Sequence, residues 1–207
     1  MEENHTAIVK QSNNQLITHT TDSLKAMLEE AQTYIDSGLL PTHIKTAATA
    51  VIIMQYGREL NIGPVQALSN IYVVSGRPSL SGNLLSALVR NGGVEWQTVK
   101  DFEPVLDANG QKVDYITSIK FIRNGIEEIV PYTWSEAKQA QLTTKDNWQK
   151  YPRNMLYWRC FSMGARRIAA DLCMGMYLAS EMSDVTHGAP VIVDTDDGNI
   201  TILQDKK

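Results

Sequence analysis

Two Asn-Gly dipeptides, Asn109-Gly110 and Asn124-Gly125, punctuate three stretches rich in β-branched residues: Val94 to Phe102, Val113 to Ile122 and Ile126 to Tyr132. Asn-Gly supplies the left-handed backbone that a tight hairpin needs, so the three stretches are predicted to pair as an antiparallel meander and not through parallel crossovers. Helical patterns precede them. From Asp22, a suitable N-cap, Leu24, Met27, Leu28, Ala31 and Ile35 recur at helical spacing and stop at Gly38. A second helix is expected after Pro41, carrying Ile44, Ala47, Ala48, Val51, Ile52 and Tyr56. A short helical turn from Pro64 to Ser69, a strand from Ile71 to Val74 and turn chemistry at Ser75-Gly76-Arg77-Pro78 follow. The next helix opens at Ser79 or Ser81 and ends at Asn91-Gly92-Gly93.

Beyond the meander, Thr133 is placed to cap a short helix, Ser135 to Ala140, ahead of a polar linker with Lys145, Asp146 and Asn147. One long helix is expected from about Pro152 to Glu181. Helices first, then a meander, then helix is an α+β order. The expected fold is therefore helices plus an antiparallel β-meander, with a long C-terminal basic helix and flexible acidic tails. Residues 1–21 read as a flexible N-terminal arm, 22–182 as a single α+β domain, and 183–207, with a short apolar patch from Val191 to Val193, as a disordered acidic tail.

The formal net charge of −4 conceals an uneven distribution. Residues 1–40 hold six acids and two bases, residues 181–207 six acids and two lysines, and residues 41–180 fifteen bases and eleven acids. A basic middle suits a polyanion, because each cation placed on a phosphate releases a condensed counterion; the same imbalance is also common in ordinary globular chains. The longest apolar run, Ala47 to Met54, includes Thr49 and falls far short of a bilayer span. The N-terminus has neither a basic nor an apolar export region, so a cytoplasmic protein is expected. Cys160 and Cys173 fall too far apart on the predicted helix to pair, which predicts free, buried thiols.

The basic residues concentrate between Trp148 and Tyr177, where Lys150, Arg153, Arg159, Arg166 and Arg167 face one acid, Asp171. Met155, Trp158, Ser162, Ala165, Ala169, Leu172 and Met176 form an apolar stripe on the predicted helix. Arg159 and Arg166 share one line beside it, and Arg167 lies about 100° further round. Guanidinium forks bind phosphate oxygens through paired hydrogen bonds. Helical arginine also commonly pairs with an acid, and Asp171 stands within reach of Arg167 on a helix. Trp158 and Phe161 are assigned to the core; Trp148 and Tyr151, in the polar approach to the helix, are the candidates for base stacking. Lys145 and Lys150 extend the basic surface.

Signatures of bond chemistry are missing. There is no phosphate loop of the GxxxxGKS or GxxxxGKT type, and His5, His19, His43 and His187 have no metal-ligand spacing. Glu127 and Glu128 alternate faces of a hairpin, and Asp194 to Asp197 lie in the tail. The expectation is binding, not catalysis, with no cofactor required.

Two blocks together carry a resemblance. Trp148-x-x-Tyr151-Pro152-x-x-Met155-Leu156-x-x-Arg159-x-x-Ser162-x-x-x-Arg166, continued by Asp171, Gly175, Tyr177 and Glu181, resembles the signature of the RecT family of phage single-strand annealing proteins. Glu59-Leu60-x-Ile62-x-Pro64-x-x-Ala67-Leu68, followed by Ile71 to Val74, Gly76-Arg77-Pro78-x-Leu80 and Ala87 to Arg90, is similar to the family's amino-terminal half. Trp134-Ser135-x-Ala137 agrees as well, and the match spans about residues 40–181.

The resemblance implies a recombinase that binds single-stranded DNA and anneals complementary strands without ATP, as a homo-oligomer in ring or filament form. Arg159 and Arg166 would lie on the DNA-contacting helix, with Lys145, Lys150 and Arg153 near the groove; Arg77 and Arg90 would touch DNA or a neighbouring subunit. Magnesium would assist by screening phosphates. A phage exonuclease and the host single-strand binding protein would be partners. The alternative is an RNA or general nucleic-acid-binding module without annealing activity.

Overall fold

The computed structural model describes residues 21–74 and 76–185 and shows an α+β fold. The expected arm and tail lie outside the described residues, apart from their inner ends. Helix α1 (Thr21–Asp36) stops where Gly38 takes a left-handed φ of 69°. Helix α2 (Ala47–Glu59) starts later than Pro41, the boundary read from the sequence. Thr46 is its N-cap, its hydroxyl accepting the Thr49 amide at 3.2 Å, while Pro41 instead forms a turn by accepting the Ile44 amide at 3.0 Å. Ile44 is buried even so, from the loop.

Helix α3 (Pro64–Asn70) leads into β1 (Ile71–Val74), as expected. Of the segment read as a turn, Gly76 turns the chain with a positive φ, while Arg77 and Pro78 already belong to the strand β2 (Arg77–Leu80), antiparallel to β1. Its other neighbour, the two-residue β6 (Tyr177–Leu178), is parallel and pairs only with Ser79 and Leu80, so on that side Pro78 forfeits no ladder bond. Helix α4 (Gly82–Asn91) is capped by Ser81, whose hydroxyl accepts the Leu84 amide at 3.0 Å. The meander forms with both Asn-Gly turns in place: β3 (Glu95–Leu106), β4 (Lys112–Arg123) and β5 (Ile126–Thr133). Gly110 and Gly125 both have positive φ. Thr133 and Glu136 complete a capping box on α5 (Trp134–Gln139).

The long helix divides. The expected linker holds a short helix, α6 (Asp146–Lys150), and α7 (Pro152–Ile168) ends at Ala169. After α8 (Ala170–Cys173), Met174 and Gly175 adopt consecutive left-handed conformations, with φ of 49° and 70°. They reverse the chain so that Tyr177 and Leu178 join β2, and α9 (Ala179–Val185) follows. Of the expected apolar stripe, Ser162, Ala165, Ala169 and Met176 are buried and Met155, Trp158 and Leu172 half-buried; on α7 Leu156, Cys160, Phe161 and Gly164 are buried as well. Trp158 lies flat on Gly82, where an added Cβ would come within 2.9 Å of its ring.

Cys160 and Cys173 are free and buried, as predicted. Burial pushes the Cys160 thiol up to about 12 and the Cys173 thiol up to about 11. Both therefore stay protonated. Among the described residues, no helix is long and apolar enough to cross a membrane.

Candidate nucleic-acid interface

The junction of α6 and α7 builds an open cleft of about 420 Å³, lined by Asp101, Lys150, Tyr151, Pro152, Arg153, Asn154 and Tyr157. Pro152 fixes the first turn of α7, and Tyr151, half in the helix, is 64% exposed. Trp148 is the anchor behind it. Its side chain is 2% exposed and packs with the Trp134 ring at 6.0 Å, so this tryptophan is core and not a stacking platform. The apolar area of an indole outweighed the polar neighbours from which exposure had been inferred.

The cleft continues into the sheet. Tyr157 accepts a hydrogen bond from Trp96, although burial is the larger influence and holds its phenol above the ordinary range. On Trp96 stacks the Arg90 guanidinium, 4.1 Å from the ring centroid. Lys150, Tyr151, Arg153 and Arg90 thus gather along one surface with Tyr157 and Trp96, an alternation of cations and π faces. Arg77 is exposed at the start of β2 and does not line the cleft; Lys145 is half-buried at the N-cap of α6. Arg167 is on the meander side of α7.

Three of the exposed cations, Lys150, Arg153 and Arg167, each hold a carboxylate. Arg153 donates from Nε to Asp101 Oδ1 at 3.0 Å and from Nη2 to Oδ2 at 2.5 Å. Lys150 pairs with Asp146 at 2.9 Å, and Arg167 pairs with Glu128 at 3.2 Å, not with Asp171. Asp171 instead receives a two-pronged contact from Arg123, at 2.6 and 2.7 Å. The Arg153 and Arg123 hydrogen bonds hold the Asp101 and Asp171 carboxyls below the usual range. The stability they add is therefore fully present above their unfolded value, about 3.9, and lost as pH falls through the lower folded values. Melting curves between pH 5 and pH 2 are expected to show this loss beginning only below about pH 4, and it should be small because both carboxylates are exposed.

Asp101 owes its position to a β-bulge. The β3–β4 register shifts between Lys100 and Glu103, and inside that interval Phe102 takes a left-handed φ of 54°. Such a conformation costs a bulky residue on the order of 1–3 kcal/mol. Phe102 is held there by the buried Thr117 hydroxyl, which accepts its amide at 3.1 Å, and by stacking on Tyr115 at 4.3 Å.

Arg159 and Arg166 have a different environment. They share a line on α7, as their spacing requires, but the line faces Glu181 of α9, which is 2% exposed. The Glu181 carboxylate accepts from Arg166 at 2.5 Å, from the Ser162 hydroxyl at 2.7 Å and from the Leu178 amide at 3.3 Å, with Arg159 at 3.3 Å. Arg166 also donates to Ser162 and lies 4.5 Å from the centroid of the Tyr177 ring. Five residues of the sequence signature, Arg159, Ser162, Arg166, Tyr177 and Glu181, therefore form one cluster that fastens α9 and β6 to α7. The two arginines expected on DNA are committed to protein.

Magnitudes separate the two sets. An exposed ion pair is worth about 0–1 kcal/mol, so a phosphate can replace the carboxylates on Lys150, Arg153 and Arg167 at small cost. Separating Glu181 from its guanidiniums would strand a buried charge. Among the described residues there is no group of three acids, histidines or cysteines able to hold a metal ion. The chain matches no family model, no curated protein and no solved structure.

Proposed function

We propose that this protein binds single-stranded DNA and anneals complementary strands without ATP. The observation that carries the reading is the cleft in which the exposed Tyr151, flanked by Lys150 and Arg153, leads past Tyr157 to Arg90 stacked on Trp96. Aromatic faces accept bases of any sequence, and the cations accept the backbone between them. The resemblance of the sequence to RecT-type annealing proteins supplies the activity. Sequence specificity then resides in Watson-Crick pairing, and cations along one backbone lower the repulsion met by the second strand. The same reading carries a homo-oligomer aligning successive clefts, magnesium as a screening ion, a phage exonuclease and host single-strand binding protein as partners, and the bacterial cytoplasm as the place of action.

The test is annealing of two complementary fluorescent oligonucleotides without nucleotide, with complex size followed in parallel. Acceleration accompanied by large, salt-sensitive complexes is expected. Tyr151→Ala should weaken strand binding roughly five- to a hundredfold, the effect of losing one stacked base. Lys150→Ala with Arg153→Ala should reduce the salt slope by about two. Binding without acceleration would leave a nucleic-acid clamp, whose DNA or RNA preference competition would reveal; no binding would refute the reading.

A further inference from the structure

Arg153 offers the cleft a planar fork, and the fork is occupied. Asp101 meets it with two oxygens on two nitrogens, the arrangement a phosphodiester would adopt on the same guanidinium. The contact is 52 residues apart in sequence and is made possible by the bulge at Lys100 to Glu103 and the left-handed Phe102. An exposed pair adds little to the stability of a fold, less than the conformation of Phe102 costs; ring packing on Tyr115 and Trp134 must offset the difference. A strained segment that aims a carboxylate at the rim cation of an open cleft points to a role in binding.

We propose that Asp101 is an internal stand-in for phosphate, closing the Arg153 fork to small anions and yielding it to a polyphosphate chain. The proposal rests on the anionic ligand assigned to the cleft above. A lone phosphate exchanges with Asp101 one for one and gains little, since a carboxylate is released for every phosphate bound. A strand differs, because its neighbouring phosphates reach Lys150 and Arg90 while one of them displaces Asp101. The contact therefore selects for chain length. The hydrogen bonds from Arg153 keep Asp101 ionised well below neutral pH, so the competition persists throughout the physiological range.

The experiment measures anisotropy of a labelled oligothymidylate across a salt series, and calorimetric titration with inorganic pyrophosphate, for the full chain and for Asp101→Asn, Asp101→Ser and Asp101→Asn with Arg153→Ala. Removing the carboxylate should tighten oligonucleotide binding about two- to fivefold, the equivalent of one exposed ion pair. The salt slope should stay nearly unchanged, because in the complex Arg153 neutralises one phosphate with or without Asp101. Pyrophosphate should bind Asp101→Asn more tightly than the full chain by the same two- to fivefold factor, and the added Arg153→Ala should abolish both gains. A merely structural role for Asp101 would not raise affinity.

If folded Asp101→Asn and Asp101→Ser bind both probes no better than the unaltered chain, or neither probe binds any variant, the proposal is overturned. If pyrophosphate binding is gained through Arg153 while the oligonucleotide binds nothing, Asp101 acts as described and the DNA reading fails.

Discussion

Arg166→Ala should destabilise the folded chain by about 3–5 kcal/mol, the usual cost of removing one partner from a buried ion pair. The reason lies on the other side of the contact. Glu181, 2% exposed in the intact chain, would be left with Arg159 at 3.3 Å and the Ser162 hydroxyl as its main companions. Small domains are stable by about 5–15 kcal/mol, so the variant would lose a large fraction of that margin. Urea unfolding should show the midpoint falling with little change in slope. Arg153→Ala, which breaks an exposed pair, should shift the same curve by less than about 1 kcal/mol. Equal effects from the two substitutions would mean that Glu181 reaches water more easily than its burial indicates. Loss of DNA binding in Arg166→Ala would accordingly report on folding before it reported on contact with DNA.

The second large effect is expected at Gly164→Ala. In an exposed helix this change stabilises by about 1 kcal/mol. Here the sign should reverse. A Cβ at position 164 would stand 2.0 Å from Phe121 Cε2 and 2.5 Å from Cζ, and Phe121 is fully buried with Phe161 packed against it at 5.6 Å. Either α7 retreats from the meander or the ring leaves its place. The loss should be about 3 kcal/mol, which for a domain of this size lowers the melting temperature by roughly 10 °C. Adding Phe121→Leu should recover part of it, because the two positions are coupled through the same volume. A melting temperature unchanged by Gly164→Ala would show that Phe121 has a second comfortable rotamer.

Residues that act locally were legible in the sequence. Both Asn-Gly turns fixed hairpins whose strand limits the β-branched runs had suggested to within a residue, except that β3 continues past Phe102 to Leu106, and Thr133 capped the helix beside it because its partner Glu136 is only three residues away. Features that depend on distant partners were not. Two residues make β6, too few for a period, and β6 exists only because β2 offers an edge. The break at Ala169 carries no proline, so a continuous pattern placed Glu181 on the arginine helix instead of opposite it. Glu181 was visible as part of a signature, while its role as the anion between Arg159 and Arg166 was not.

The cleft was half legible. Lys150, Tyr151 and Arg153 were candidates from charge and aromatic content and Arg90 only from the family resemblance, and the fold brings them to one surface. Trp148 was misplaced because a five-residue helix shows no face in its spacing. Asp101 and Tyr157 carried weaker signals. The adjacent charges Lys100 and Asp101 interrupt the alternation between Val99 and Phe102, which in an edge strand is the trace of a bulge.

The parallel pairing of β2 with β6 joins Ser79 to Tyr177 across roughly a hundred residues. Closing so long a loop delays the contact, and a ribosome adding 5–20 residues per second needs on the order of 5–20 s to make the second strand after the first. Through that interval the nascent β1–β2 hairpin has an unpaired edge, a template for strands of other chains. The two residues of β6 thus set the time at which the amino-terminal half of a newly made molecule ceases to be vulnerable to aggregation.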